Sequence, residues 1–110
     1  MGKVTHIVSV KLPSTPATLA TQITTDFLAL QQKCQKEDGS EYILSITGGP
    51  DISIEGLQKG FTHVYVVQFA SVEDRNYYVR RDSAHAEFAG RLIGSIEGGV
   101  DGATVLDFEH

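Results

Sequence analysis

Apolar and polar residues alternate from Val4 to Leu12, which places Val4, His6, Val8, Val10 and Leu12 on one face and Thr5, Ile7, Ser9 and Lys11 on the other. That period of two, rich in β-branched residues, predicts a first strand. Ser14-Thr15-Pro16 then offers a capping residue and a proline suited to a first helical turn. Leu19, Ile23, Phe27, Leu30 and Cys34 recur at helical spacing. They predict a long amphipathic helix ending near Lys36, where Glu37-Asp38-Gly39-Ser40 breaks the pattern. Tyr42 to Thr47 reads as a second strand closed by Gly48-Gly49-Pro50, and residues 51–59 read as a loop. Phe61 to Phe69 alternates cleanly, with Phe61, His63, Tyr65, Val67 and Phe69 on one face, and is a third strand.

Ser71 caps a second helix, with Glu73 and Asp74 in its first turn where the helix dipole favours acids. That helix runs to about Arg80. Asp82-Ser83 begins a third helix carrying Phe88, Leu92 and Ile96 on one face. Gly98 to Gly102 is a turn, and Ala103 to Phe108 is the last strand. The order β-α-β-β-α-α-β predicts an α+β ferredoxin-like fold: an antiparallel four-stranded sheet with helices on one face, in a single domain spanning residues 1–110. The other face keeps Ile7, Val64 and Val66 among Thr5, Ser9, Thr62 and Gln68. The chain has no elements left to cover it, so two copies are expected to pack sheet against sheet as a homodimer.

Composition narrows the function classes. The 110 residues are 41% hydrophobic and 21% charged, an ordinary globular balance. A net charge of −5 argues against nucleic-acid and anionic-membrane partners, since phosphate binding needs a basic surface. No apolar run spans a bilayer and the N-terminus lacks a signal-peptide pattern, so a cytoplasmic protein is expected. Cys34 is the only cysteine, which excludes an intrachain disulfide and a cysteine-based zinc site. Its helical core spacing marks it as packing.

The chemistry-bearing inventory is small. His6 and His63 share their strands' apolar faces, and neighbouring strands would bring the two imidazoles near one another. Tyr77 and Tyr78 end the second helix and His85 lies near the start of the third, so one of these tyrosines and His85 can both face the sheet. A phenol–imidazole pair beside an apolar cavity is a proton-transfer unit; the competing reading is that Tyr78 packs and His85 lines a loop. Val8, Val10, Phe27, Tyr65 and Phe88, with Val67, either line a small apolar pocket for a hydrophobic or phenolic ligand or fill the core. The glycine-rich turn has no following lysine, so it is no phosphate loop. No calcium loop or nucleophile elbow is present, and neither a metal nor another cofactor is expected. His110, at the end of the sequence, is expected to be mobile.

Val4-Thr5-His6-Ile7-Val8, Gly60-Phe61-Thr62-His63, Phe69 to Asp74, Tyr78 and Ala84-His85-Ala86-Glu87-Phe88 together resemble the stress-responsive A/B barrel (Dabb) family. The resemblance implies a ferredoxin-like protomer paired into a dimeric α+β barrel. The pattern is also similar to polyketide cyclases of the olivetolic acid cyclase type. That similarity implies a cofactor-independent lyase or cyclase closing a poly-β-keto or phenolic substrate by an aldol-type step. It implies Tyr78 as acid or oxyanion donor, His85 as base or orienting group, and His6 and His63 as residues that position substrate oxygens. The family's proline before Ala-His is Ser83 here. Two further readings stand beside it: a non-enzymatic stress-responsive dimer whose histidines hold the fold, and a cofactor-free monooxygenase or isomerase on the same barrel.

Overall fold

The computed structural model describes residues 2–110. Strands β1 (Val4–Val10), β2 (Ile43–Pro50), β3 (His63–Phe69) and β4 (Ala103–Glu109) form one antiparallel sheet in the order β2-β3-β1-β4. Helices α1 (Thr18–Lys33), α2 (Val72–Arg80) and α3 (Ser83–Ser95) lie on one face. The fold is the expected α+β ferredoxin-like one. The alternation in β1 and β3 is reproduced: Val4, Val8, Val10, Tyr65, Val67 and Phe69 are buried against Ile23, Phe27 and Leu30 of α1 and Phe88 and Leu92 of α3. The sheet's far face leaves Leu106 and Phe108 of β4 exposed beside Ile7 and Val64.

Several boundaries differ from the sequence expectation. The first helix starts at Thr18 behind Ala17, which makes no side-chain cap. Ser14-Thr15-Pro16 lies ahead of the helix, and the Pro16 carbonyl accepts from Leu19 N at 3.0 Å in a preceding turn. The helix ends at Lys33, because Cys34 is already extended and Lys36 N reaches Ser40 O at 2.8 Å to close a loop. Gly39 turns that loop at φ 85°, a conformation that favours glycine.

Gly48-Gly49-Pro50 does not close β2 but continues it. Pro50 is tolerated because β2 is an edge strand. Gly48 is required because a Cβ there would collide with the Tyr65 side chain and the Val64 carbonyl. β3 begins at His63 rather than Phe61, because Thr62 bonds the end of β1: its N–H donates to Val10 O, and its hydroxyl accepts from Leu12 N.

Thr5 and His110 depart most from expectation. Thr5, placed by parity on the face expected to meet a second copy, is buried within the single chain and hydrogen-bonds Gln68 and the His110 ring at 2.8 and 2.7 Å. His110 is accordingly tied down, with its N–H donating to Lys3 O at 2.8 Å and its ring against Phe108.

Candidate functional site

Asp82 positions one wall of the site. Its Oδ1 accepts from Ala84 N and His85 N at 2.9 and 3.2 Å and so starts α3, while Oδ2 takes the Tyr42 hydroxyl. The short break after α2 therefore swings His85 back over Tyr78. The two rings lie 4.0 Å apart between centroids, tilted by 36°. From the sheet, the His6 ring meets Tyr78 edge-on at 5.8 Å.

These three polar side chains line an apolar cavity of about 200 Å³. Val8 and Phe27 form part of its wall, with Phe88, Leu92 and Ile96 from the α3 region. Val79, Ile93 and Val105 also line it and are 48%, 41% and 54% exposed, which marks its mouth. An apolar cavity of about 150 Å³ accepts benzene, so this one seats a compact ligand or the reacting end of a longer one. No lysine or arginine lines it.

The expected constellation is thus only partly assembled. His63 does not line the cavity. It pairs with Val10, whereas His6 pairs with Val67, four residues further along β3, or about 13 Å at strand rise. The stacked Phe27–Tyr65 pair occupies the interval. His63 instead bonds Thr62 Oγ1 at 2.8 Å and borders a surface groove with Thr21, Thr24 and Pro50. Val10 and Tyr65 are fully buried core residues that do not line the cavity either, and the Tyr65 hydroxyl is satisfied by Thr24 at 2.7 Å. Val67 likewise packs in the core.

Burial sets the electrostatics. It pushes the His85 imidazole below its ordinary pKa, with nearby His6 lowering it further and Asp82 partly opposing. His85 is therefore neutral near pH 7 and able to accept a proton. Burial, reinforced by Cys34 and Asp82, pushes the Tyr78 phenol far up, so it stays protonated as a donor. Among the described residues, the Tyr78 hydroxyl has no protein hydrogen-bond partner, and His85 Nδ1 is the one buried side-chain polar atom left unpartnered. Native structures rarely bury such a group without a functional reason. Burial and then Asp82 push the Cys34 thiol up to about 12, so it is no thiolate nucleophile.

Asp107 and Arg75 escaped the sequence reading. Asp107 stands opposite His6 in the β1–β4 register, accepts from His6 Nδ1 at 2.7 Å, and takes Arg75 Nη1 on its other oxygen at 2.6 Å. The available signal was parity: Asp107 shares the face of Ala103 and Val105, where an acid is out of place unless paired. His6, His63 and His85 form no metal-holding group among the described residues. No helix among those residues is long and apolar enough to cross a membrane.

Comparison with known proteins agrees with this fold. Residues 4–110 match the family described as Stress responsive A/B Barrel Domain. A stress-response A/B barrel domain-containing protein of Arabidopsis thaliana is 38% identical over 61 residues, 56% of this chain and 51% of that protein. A fusaristatin A biosynthesis cluster protein of Gibberella zeae is 34% identical over 85 residues, 71% of this chain and 58% of that protein. The chain thus spans only about half the length of these curated relatives. Among solved structures, hydroxynitrile lyase from Passiflora edulis superposes with a TM-score of 0.78 at 25% identity, covering 97% of this chain and 92% of that one. A dimeric ferredoxin-like protein from Jannaschia sp. matches with a TM-score of 0.80 at 18% identity, over 99% of this chain and 100% of that one, and shows the shared fold.

Proposed function

The chain belongs to the stress-responsive A/B barrel (Dabb) family, and on that premise we propose that it is a carbon–carbon lyase or cyclase whose own side chains move the protons. The observation that carries the reading is the pair of unpartnered polar groups, the Tyr78 hydroxyl and His85 Nδ1, set 4.0 Å apart ring to ring beside an apolar cavity. A histidine kept only for the fold would have its buried nitrogen satisfied, and this argues against the purely structural reading. A structural neighbour named a hydroxynitrile lyase supports lyase chemistry, and a relative named a biosynthesis cluster protein supports a role in biosynthesis.

In the condensing direction, neutral His85 takes a proton from the carbon next to a substrate carbonyl. The Tyr78 hydroxyl donates a hydrogen bond to the enolate oxygen that results. The enolate carbon attacks a second carbonyl carbon, and the alkoxide formed there recovers the proton from His85. One C–H bond and the π bond of the attacked carbonyl break, one C–C bond and one O–H bond form, and no group leaves. Cleavage is the same path reversed. A linear poly-β-keto substrate would place its reacting end in the cavity and run its tail out past Val79, Ile93 and Val105.

The test is an assay on β-diketones, linear polyketide mimics and cyanohydrins with the wild type, His85→Leu and Tyr78→Phe. Turnover lost in both variants supports the assignment, and wild-type-like turnover in both refutes it. The same reading sets a second copy against the sheet's exposed face, where Leu106 is 71% and Phe108 53% exposed. Neighbours of this fold described as dimeric agree with that arrangement.

A further inference from the structure

We infer that Arg75 and Asp107 act in series as a positioning pair. They hold His6 as its Nδ1–H tautomer, so that an unprotonated Nε2 faces the cavity as an acceptor for a substrate hydroxyl. The inference takes its site from the proposed function but does not depend on the reaction. It assigns the ligand's recognised end: a hydroxyl, phenol or enol O–H, not a bare carbonyl.

The geometry runs from the surface inward. Arg75, on α2, sends Nη1 to Asp107 Oδ2 at 2.6 Å. Asp107, on β4, has only its other oxygen left for His6, and Oδ1 meets His6 Nδ1 at 2.7 Å. An ionised carboxylate accepts only, so Nδ1 carries the hydrogen. A neutral imidazole then has its lone pair on Nε2. His6 is 5% exposed and lines the cavity, and among the described residues no protein hydrogen bond engages Nε2. The free edge of the ring is therefore the edge offered to a ligand, with Tyr78 and His85 beside it.

Arg75 makes the arrangement testable through Asp107→Asn. The guanidinium can only donate, so it will hold the new carboxamide by its oxygen. The amide NH₂ is then turned toward His6 Nδ1, which must become the acceptor. His6 is expected to switch to the Nε2–H tautomer, with the hydrogen now pointing into the cavity. In the Arg75→Leu/Asp107→Asn double variant the amide is free to turn, and both tautomers are expected.

The experiment is NMR of histidine-¹⁵N-labelled full chain at alkaline pH, where imidazoles are neutral, with His6 assigned through His6→Gln. The inference requires Nδ1–H in the wild type, Nε2–H in Asp107→Asn and a mixture in the double variant. A wild-type Nε2–H signal, or no change in Asp107→Asn, overturns it. The wild-type spectrum decides even where a variant folds poorly. Binding supplies a second readout, with benzyl alcohol and benzaldehyde as probes. The alcohol-to-aldehyde affinity ratio is expected to fall about tenfold or more in Asp107→Asn, the scale of one hydrogen bond reversed. An unchanged ratio overturns the acceptor role. Neither readout needs turnover, so failure of the lyase reading and failure of this one are separable.

Discussion

At the scale of the residue, His85 and Tyr78 separate catalysis from stability. His85 Nδ1 has no hydrogen-bond partner of good geometry, and the ring makes only a weak approach to the Tyr78 backbone, so His85→Leu gives up little of the side chain's bonding. Tyr78→Phe likewise removes a hydroxyl without a partner. Both variants are expected to melt within a few degrees of the wild type by calorimetry. Turnover is expected to fall about a hundredfold to ten-thousandfold, the usual worth of a placed acid or base. A histidine that held the fold would give the opposite pattern. The pH dependence has a definite sign. His85 and His63 both have their imidazole pKa lowered by burial, so the unfolded chain binds more protons than the native one as pH falls below about 6.5, the ordinary histidine value. Their contribution is complete above that pH and is lost as pH falls through the lower native values. Melting temperature is expected to drop between pH 7 and 5, and less so in His85→Leu. An unchanged pH response in that variant would contradict the burial of a neutral imidazole.

At the scale of the element, the break between α2 and α3 does more than turn the chain. Asp82 is 5% exposed, caps α3 through two backbone N–H groups and accepts the Tyr42 hydroxyl. Asp82→Ala removes a cap worth about 0.5–2 kcal/mol and leaves a buried hydroxyl unsatisfied at about 1–3 kcal/mol. A fall in melting temperature of about 5 °C or more is expected, together with weaker catalysis because His85 loses its anchor. A thermal melt matching the wild type would mean the cap carries no weight. The element types were legible in the sequence wherever period and cap agreed, as with Ser71 for α2 and Asp82 for α3. They were not legible at Gly48-Gly49-Pro50, where turn residues sit inside a strand. Only the neighbouring Tyr65 ring and Val64 carbonyl explain why Gly48 must be bare of a side chain.

At the scale of the whole molecule, the unpaired face of the sheet is where a second copy is proposed to pack. Ile7, Val64, Leu106 and Phe108 stand on the side away from the helices. Leu106→Asp and Phe108→Asp together are expected to convert a dimer to monomers in sedimentation velocity, since charges on such a face oppose a dry contact. The helix-side cavity lies on the other side of the sheet, so its polar groups are expected to keep their geometry in the monomer. A wild type that sediments as a monomer would refute the second copy.

Strand and helix periods, two serviceable caps and the parity of His6, Val8 and Tyr65 were set by the amino-acid sequence, because local backbone geometry converts spacing directly into faces. Parity also put His6 and His63 on one face, but it carries no distance along a strand. Only the β1–β3 register decided that His63 lies four residues from His6's partner, with Phe27 and Tyr65 packed between. The same tertiary pairing brought Asp107 against His6, and the α2–β4 contact brought Arg75 against Asp107. These are meetings of residues 32 to 101 positions apart, which no local pattern records.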